Sequence, residues 1–233
     1  MQIINKPTRR LDAVTLEMII VVALITLHDF LLSNALSLPL VLKHSTLAQL
    51  RSLDKYASSL EFLVPIIFFA TMVILWLIGK NAWVRQIAII FLAWVTLRLI
   101  VKVMLVVYII ISRPQTGVGV LLKDIIVMWL ANFLLFGVWY WIVDGGGPDA
   151  RRDGTVRRYD FGFPQRISSI PGWEGWQPGI WDYVYLGFSS STQFGLGDTT
   201  ALSIRSKLLL MLQIVLSIVI IVFIASIAIT LIR

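Results

Sequence analysis

The chain contains no cysteine and only two histidines. The absence of cysteine excludes disulfide bonds, thiolate metal sites and cysteine nucleophiles. The histidines, His28 and His44, lie far apart, and no zinc-protease, serine-hydrolase or phosphate-binding motif accompanies them. Because catalysis needs convergent acid, base or metal groups, we expect a protein that is not an enzyme and that carries no cofactor.

Charged residues are also scarce: they make up 14% of the 233 residues, whereas 58% are hydrophobic. A soluble domain averages about 25% charged residues, and a soluble protein of this size could not keep so much apolar surface out of water. Intrinsic disorder is excluded for the same reason. The net charge of +7 lies mostly in short loops between apolar runs, so we expect anionic membrane lipids, and no nucleic acid, as partners. The composition therefore predicts an integral membrane protein.

Five apolar runs are long enough to cross a bilayer core of about 30 Å, which needs roughly 20 helical residues. The first run resembles a secretory signal, because basic residues precede it and small residues follow it. Asp12 and Glu17, just ahead of its apolar part, favour a membrane helix instead. The five predicted spans are 18–42, 62–79, 86–112, 125–143 and 208–232.

The longest connection, residues 144–181, is rich in glycine, proline, arginine and tryptophan and has no helical period. We expect it to form an irregular extramembrane cap. Tryptophans at both of its edges are typical of the membrane–water interface.

The segment between the cap and the last run does not fit a plain helix. It begins at Trp181 as a short aromatic and apolar helix, about long enough to enter the membrane halfway. Gly195 and Gly197 then break the helix. Non-helical backbone at membrane depth persists only inside protein or beside water, and in this arrangement it can turn backbone carbonyls toward an ion.

The run TQFGLGD, residues 192–198, resembles the selectivity filter of the potassium channel pore-loop family. Thr192, Gly195, Gly197 and Asp198 match the family pattern Thr-Thr-Val-Gly-Tyr-Gly-Asp in register, whereas the other three residues depart from it. The resemblance covers about residues 125–233. The segments WYWIVDGGGPDAR, DFGFPQ and WQPGIWDYVYLGFSSST also resemble a group of uncharacterised bacterial membrane proteins with about five spans.

The resemblance implies that K⁺ binds to backbone carbonyls, with Thr192 at the inner mouth of the filter. One loop supplies a quarter of a carbonyl ring, so a conducting filter requires a homotetramer. The filter carbonyls would come from Gln193, Phe194, Gly195, Leu196 and Gly197. The alternative to a filter is a tight re-entrant turn that holds no ion.

Asp198 would support the filter from behind, by hydrogen bonding to Trp181, Tyr183 or Tyr185. The alternative role for Asp198 is a simple cap of the following helix.

The last apolar run would be the inner helix of such a channel. Apolar residues recur along it at three- and four-residue steps and can share one face. That face would line an apolar pore, or, alternatively, contact lipid or other helices. Its residues are Ile214, Ile218, Ile221, Ala225 and Ile229.

Charged residues interrupt the first and third runs. Arg98 and Lys102 are one turn apart, and charges at membrane depth are usually paired. Asp29 is the natural partner, with His28 beside it, so we expect an intramembrane charge cluster. The alternatives are a voltage sensor, for which two basic residues four apart are too few, and a pH sensor at His28.

The charge distribution and the resemblance to the channel family predict opposite orientations of the chain in the membrane. Five spans put the N-terminus and the cap on one side with twelve Lys and Arg residues, against six on the other. The positive-inside rule would make the first side cytoplasmic, but it loses force over a connection of about 60 residues. We therefore expect the orientation that the resemblance implies: a multi-pass protein of the cell membrane with its N-terminus and cap outside and its C-terminus cytoplasmic.

The predicted fold is all-α and integral to the membrane, with five transmembrane helices plus a re-entrant pore helix and selectivity-filter loop. The predicted function is passive K⁺ conduction; the alternatives are a weakly selective cation channel and a non-conducting scaffold or accessory subunit. An N-terminal three-helix bundle would cover 1–122 and a pore domain 123–233. The pore domain would contain the outer helix 123–143, the cap 144–180, the pore helix and filter 181–198 and the inner helix 203–232.

Overall fold

The structure is a computed structural model of the chain that describes residues 19–23, 26, 50–112, 118–168, 170–192 and 199–232. Long helices dominate it, and the one sheet in this part of the chain is a two-stranded ribbon. The predicted all-α class is therefore confirmed for the described residues. The first predicted span lies largely outside them, although residues 19–23 and 26 are helical.

Four long helices form the body of the described chain: α1 Leu50–Leu77, α2 Asn81–Ser112, α3 Val118–Val143 and, near the C-terminus, α7 Ile204–Ile232. Three segments are long and apolar enough to cross a membrane, namely Trp83–Tyr108, Leu122–Gly146 and Ile204–Ile229. In α1 the apolar part, Leu63–Leu77, is shorter than a span. The helices thus include three membrane-crossing candidates among the described residues.

A glycine allows the turn between α1 and α2. Gly79 has a φ of +80°, which residues with a Cβ atom rarely adopt, and its N–H donates to the carbonyl of Trp76. The N–H of Lys80 donates to the carbonyl of Leu75. This pair of bonds is a Schellman motif, which satisfies the last carbonyls of α1 and reverses the chain.

The helices pack around a core shared by α2, α3 and α7. Phe91 of α2, Phe136 of α3 and Ile220 of α7 are all buried in it. Trp139 of α3 donates its indole N–H to the Thr96 hydroxyl of α2 over 2.9 Å. This bond gives the indole a partner where no water is available.

The cap contains more regular structure than its sequence indicates. A 3₁₀ turn at Asp144–Gly146 continues directly from α3, and two short helices follow: α4 Pro148–Arg152 and α5 Pro164–Ile167. Strand β1, Phe161–Gly162, pairs antiparallel with β2, Thr200–Ala201. The ribbon therefore ties the cap to the chain just ahead of α7.

Helix α6, Ile180–Thr192, lies between the cap and β2. At its start the Asp182 carboxylate accepts the N–H of Gly179 over 2.7 Å, as the third helical residue does in a capping box. At the start of α7, Ser203 and Ser206 exchange side-chain and backbone hydrogen bonds at 3.1 and 3.2 Å in the same manner. Local capping residues thus fix where both helices begin.

Candidate functional site

Helix α6 is a half-length helix packed antiparallel to α3. It has 13 residues, so it is about 20 Å long against a bilayer core of about 30 Å. Val184 lies beside Gly137, and Gly187 lies beside Phe133. The midpoint of the Leu122–Gly146 span is near Leu134, so Gly187 lies near mid-span. Helix α6 therefore runs from the cap and ends at Thr192, about 7.5 Å beyond that midpoint.

Two glycines permit this close packing of α3 and α6. A Cβ atom on Gly187 would lie 2.5 Å from the carbonyl oxygen of Phe133 and 3.2 Å from the backbone nitrogen of Gly137. A Cβ atom on Gly137 would lie 2.9 Å from the Cα of Val184. Small residues allow such backbone approaches between membrane helices. On the flank of this contact, the ring of Phe188 lies 5.6 Å from that of Phe133.

The cap end of α6 is held by a buried carboxylate. Asp144 is inaccessible to solvent. Its Oδ1 accepts the backbone N–H groups of Asp160 and Phe161 over 2.7 and 3.0 Å. Its Oδ2 accepts the Tyr183 hydroxyl of α6 over 2.6 Å and lies 3.5 Å from the guanidinium of Arg166. One carboxylate therefore joins the end of α3, the cap and the first turns of α6.

Two arginines surround this carboxylate. Arg166 also donates to the carbonyl of Phe161 and stacks 3.5 Å above the ring of Tyr159. Arg151 donates to the backbone carbonyl of Asp144 and lies 5.2 Å from the ring centre of Tyr183. Burial lowers the pKa of Arg151, and the negative charge of Asp144 opposes that effect. Since guanidinium groups stay protonated in proteins, two cations lie beside the buried carboxylate of Asp144.

A second polar cluster joins the middle of α6 to α7. Gln213 of α7 is fully buried and donates its Nε2–H to the carbonyl of Gly187 over 2.6 Å. Its Oε1 accepts the hydroxyl of Tyr140 of α3. One turn further along α7, the Ser217 hydroxyl accepts Nδ2–H of Asn132 over 2.7 Å. The spans of α3 and α7 are therefore linked by paired polar side chains at membrane depth.

The C-terminal turn of α6 is rich in hydroxyl groups. Ser189 and Ser190 donate to the carbonyl of Leu186, Ser191 to that of Phe188, and Thr192 to that of Ser189. These bonds give each hydroxyl an acceptor three or four residues earlier in the same helix. Of the acceptors, only Ser189 is among the last four carbonyls of α6, which lack later helical partners.

The predicted filter residues fall mostly outside the described part of the chain. Thr192 is the last residue of α6, and residues 193–198 are not described; they include Gln193, Phe194, Gly195, Leu196, Gly197 and Asp198. Of the predicted support residues, Trp181 and Tyr185 are exposed at 77% and 63%. Tyr183 is buried and gives its hydroxyl proton to Asp144.

The predicted pore-lining residues share one face of α7 but differ in exposure. Ile218, Ala225 and Ile229 are exposed, whereas Ile214 and Ile221 are half-buried. The exposed stripe continues through Met211, Val215 and Val222. The exposed apolar stripe of α7 thus includes three of the five predicted residues, and their role in lining a pore stays a prediction.

The predicted charge cluster is only partly described. His28 and Asp29 lie outside the described residues. Arg98 and Lys102 are half-buried on α2, and the Arg98 guanidinium lies 4.6 Å from the ring centre of Trp94.

Sequence reasoning missed the roles of Asp144, Arg166 and Gln213. A usable signal existed for Gln213, because a polar residue within an apolar span usually has a specific partner. Asp144 follows directly on such a span and gave no comparable signal. Among the described residues, no group of three or more His, Cys, Asp and Glu side chains could hold a metal ion.

Comparisons with protein-family models, with curated proteins and with solved structures found no match for this chain.

Proposed function

We propose that the chain is one subunit of a homotetrameric cation channel that conducts K⁺ through residues 192–198. The observation that carries the proposal is the position of α6: a short helix held between α3 and α7 that ends inside the span of α3, at the first residue of TQFGLGD. A helix of this length is too short to cross the bilayer, and β2, which follows TQFGLGD, pairs with β1 of the cap. Both observations support a re-entrant loop.

Electrostatics support a cation near the end of α6. The C-terminus of a helix carries a partial negative charge of about half a unit, which stabilises cations. The hydroxyl-rich last turn adds dipoles but no competing cation. Four such helix ends around an axis, with backbone carbonyls ahead of them, would replace part of the hydration shell of an ion. Two glycines in TQFGLGD give its backbone the freedom this needs.

The full proposal includes five spans, with residues 18–42 and α1 joining the three membrane-crossing candidates. Helices α3, α6 and α7 form the pore domain, and the N-terminal helices surround it. The cap and the N-terminus lie outside the cell membrane and the C-terminus lies in the cytoplasm. Anionic lipids contact the basic residues between the spans.

Ion flux tests this proposal. We expect purified protein in liposomes to release K⁺ down a gradient, with flux under a Na⁺ gradient at least tenfold lower. Gly195→Ala removes backbone freedom at a filter position, and should abolish both fluxes in a protein that still assembles. Gly179→Ala is the matched control, because a Cβ there meets only the Asp182 carboxylate at 3.8 Å. Equal K⁺ and Na⁺ fluxes would leave a weakly selective channel and reject K⁺ selectivity.

Thermal unfolding separates a channel from a scaffold without requiring an open pore. A ligand at 100 times its Kd stabilises the native state by about 2.7 kcal/mol. For a chain of this size we expect K⁺ in place of Na⁺ to raise Tm by about 5–10 °C. Gly195→Ala should remove the difference. Equal melting temperatures together with an absence of flux would favour a non-conducting scaffold.

A further inference from the structure

Gln213 links α3, α6 and α7 through the bonds described above. It is fully buried in the span Ile204–Ile229. A carbonyl oxygen can only accept, so Nε2 must face the carbonyl of Gly187 and Oε1 must face the hydroxyl of Tyr140. Both polar ends of the amide are satisfied, as an amide at membrane depth requires.

The bond to Gly187 lies close to the functional end of α6. Thr192 follows Gly187 by five residues, or about 7.5 Å of helix. If α6 tilted by about 10° around its cap end at Tyr183, Gly187 would move by about 1 Å and Thr192, nine residues from Tyr183, by about 2.3 Å. The groups of a binding site must be held to within about 0.5 Å of their productive positions. The contact that fixes Gly187 against α7 therefore also fixes where residues 192–198 begin.

We propose that Gln213 is a positioning residue: its amide holds the half-helix α6 against α7 at Gly187 and so sets the K⁺ over Na⁺ selectivity of the pore. The proposal rests on the proposed function. It makes the inner helix a determinant of selectivity through a hydrogen bond rather than through contact with the ion. A shift of α7 that broke this bond would change selectivity without altering residues 192–198.

Three variants of the full-length protein separate positioning from stability. Gln213→Met keeps the length of the side chain and removes both hydrogen bonds, but it leaves the Tyr140 hydroxyl buried without an acceptor. The double variant Tyr140→Phe with Gln213→Met also removes that hydroxyl, and removing both partners of a buried bond is often nearly neutral for stability. Ser217→Ala is the matched control, because it breaks a buried bond between α7 and α3 that does not involve α6.

Three quantities are measured on each variant: the ratio of K⁺ to Na⁺ flux in liposomes, amide hydrogen exchange in residues 180–192, and Tm. We expect Gln213→Met to lower the flux ratio at least tenfold and to speed exchange in α6 at least tenfold. The double variant should regain the wild-type Tm but keep the lowered ratio and the faster exchange. Ser217→Ala should lower Tm and leave the ratio within twofold of wild type.

Other outcomes overturn the proposal in distinguishable ways. Recovery of the flux ratio in the double variant would mean that Gln213 acts through stability alone. Wild-type selectivity in Gln213→Met, with unchanged exchange in α6, would show that α6 is held by other contacts. A wild-type protein without flux and without a K⁺-dependent Tm would reject the proposed function, and the selectivity role would fall with it.

Discussion

Replacing Asp144 with alanine is expected to lower the free energy of unfolding by about 3–5 kcal/mol, the range for a buried charge pair that loses one partner. The substitution leaves the Arg166 guanidinium, the Tyr183 hydroxyl and two backbone N–H groups without their acceptor. Buried donors without partners are each costly. Thermal or chemical unfolding of the detergent-solubilised protein measures the loss.

Because Asp144 also holds the first turns of α6, we expect the same variant to lose K⁺ flux at temperatures where it remains assembled. Asp153→Asn is the matched control: Asp153 pairs with Arg152 at 3.0 Å, but both side chains are largely exposed. Exposed pairs contribute about 0–1 kcal/mol. A loss at Asp144 no larger than that at Asp153 would contradict the central role of the carboxylate.

Replacing Gly187 with alanine is expected to destabilise the packing of α6 on α3, although alanine is the better helix former. Helix propensity alone favours alanine over glycine by about 1 kcal/mol. The new Cβ, however, would lie 2.5 Å from the backbone oxygen of Phe133, and backbone cannot move aside as a flexible side chain can. Overpacking typically costs about 1–3 kcal/mol. The clash therefore outweighs the propensity, and Gly187→Leu should prevent assembly.

Unfolding measurements on Gly187→Ala decide between the two effects, with Gly179→Ala as the control whose Cβ makes only an ordinary 3.8 Å contact. The clash account requires a lower Tm for Gly187→Ala and a Tm within about 2 °C of wild type for the control. A higher Tm for Gly187→Ala would show that α3 and α6 separate enough to accept a methyl group. Helix α6 would then be held less rigidly at Gly187 than the positioning role of Gln213 requires.

The helical class and the long helices could be predicted from the sequence because apolar runs of membrane length leave few alternatives. The short helix that begins at Ile180 was also visible, since aromatic and apolar residues lie there between breakers. Predicting how the faces of α7 are buried was harder, because a helix that is apolar on nearly all sides gives little amphipathic signal. Of the residues predicted to share its pore-lining face, Ile214 and Ile221 are half-buried and the other three are exposed.

The polar clusters could not be predicted because their partners are distant along the chain. Asp144 meets Tyr183, and Gln213 meets both Gly187 and Tyr140. Such pairings depend on how helices cross, which no local pattern encodes. The short helices of the cap were not predicted, because glycine and proline indicate irregular backbone. Two of these prolines instead occupy the first positions of α4 and α5, where proline favours the start of a helix.

The pairing of β1 with β2 also fixes the distance that the chain between Thr192 and Thr200 must cover. Thr192 is anchored through α6 to α3, and Thr200 is anchored to Gly162 of the cap. The chain between them can span at most about 27 Å when fully extended, and neither anchor can slide without breaking the bonds that hold it. An inserted or deleted residue in this stretch would have to be absorbed within it. Evolutionary changes in chain length should therefore collect instead in the exposed turn at residues 170–175, which touches neither anchor.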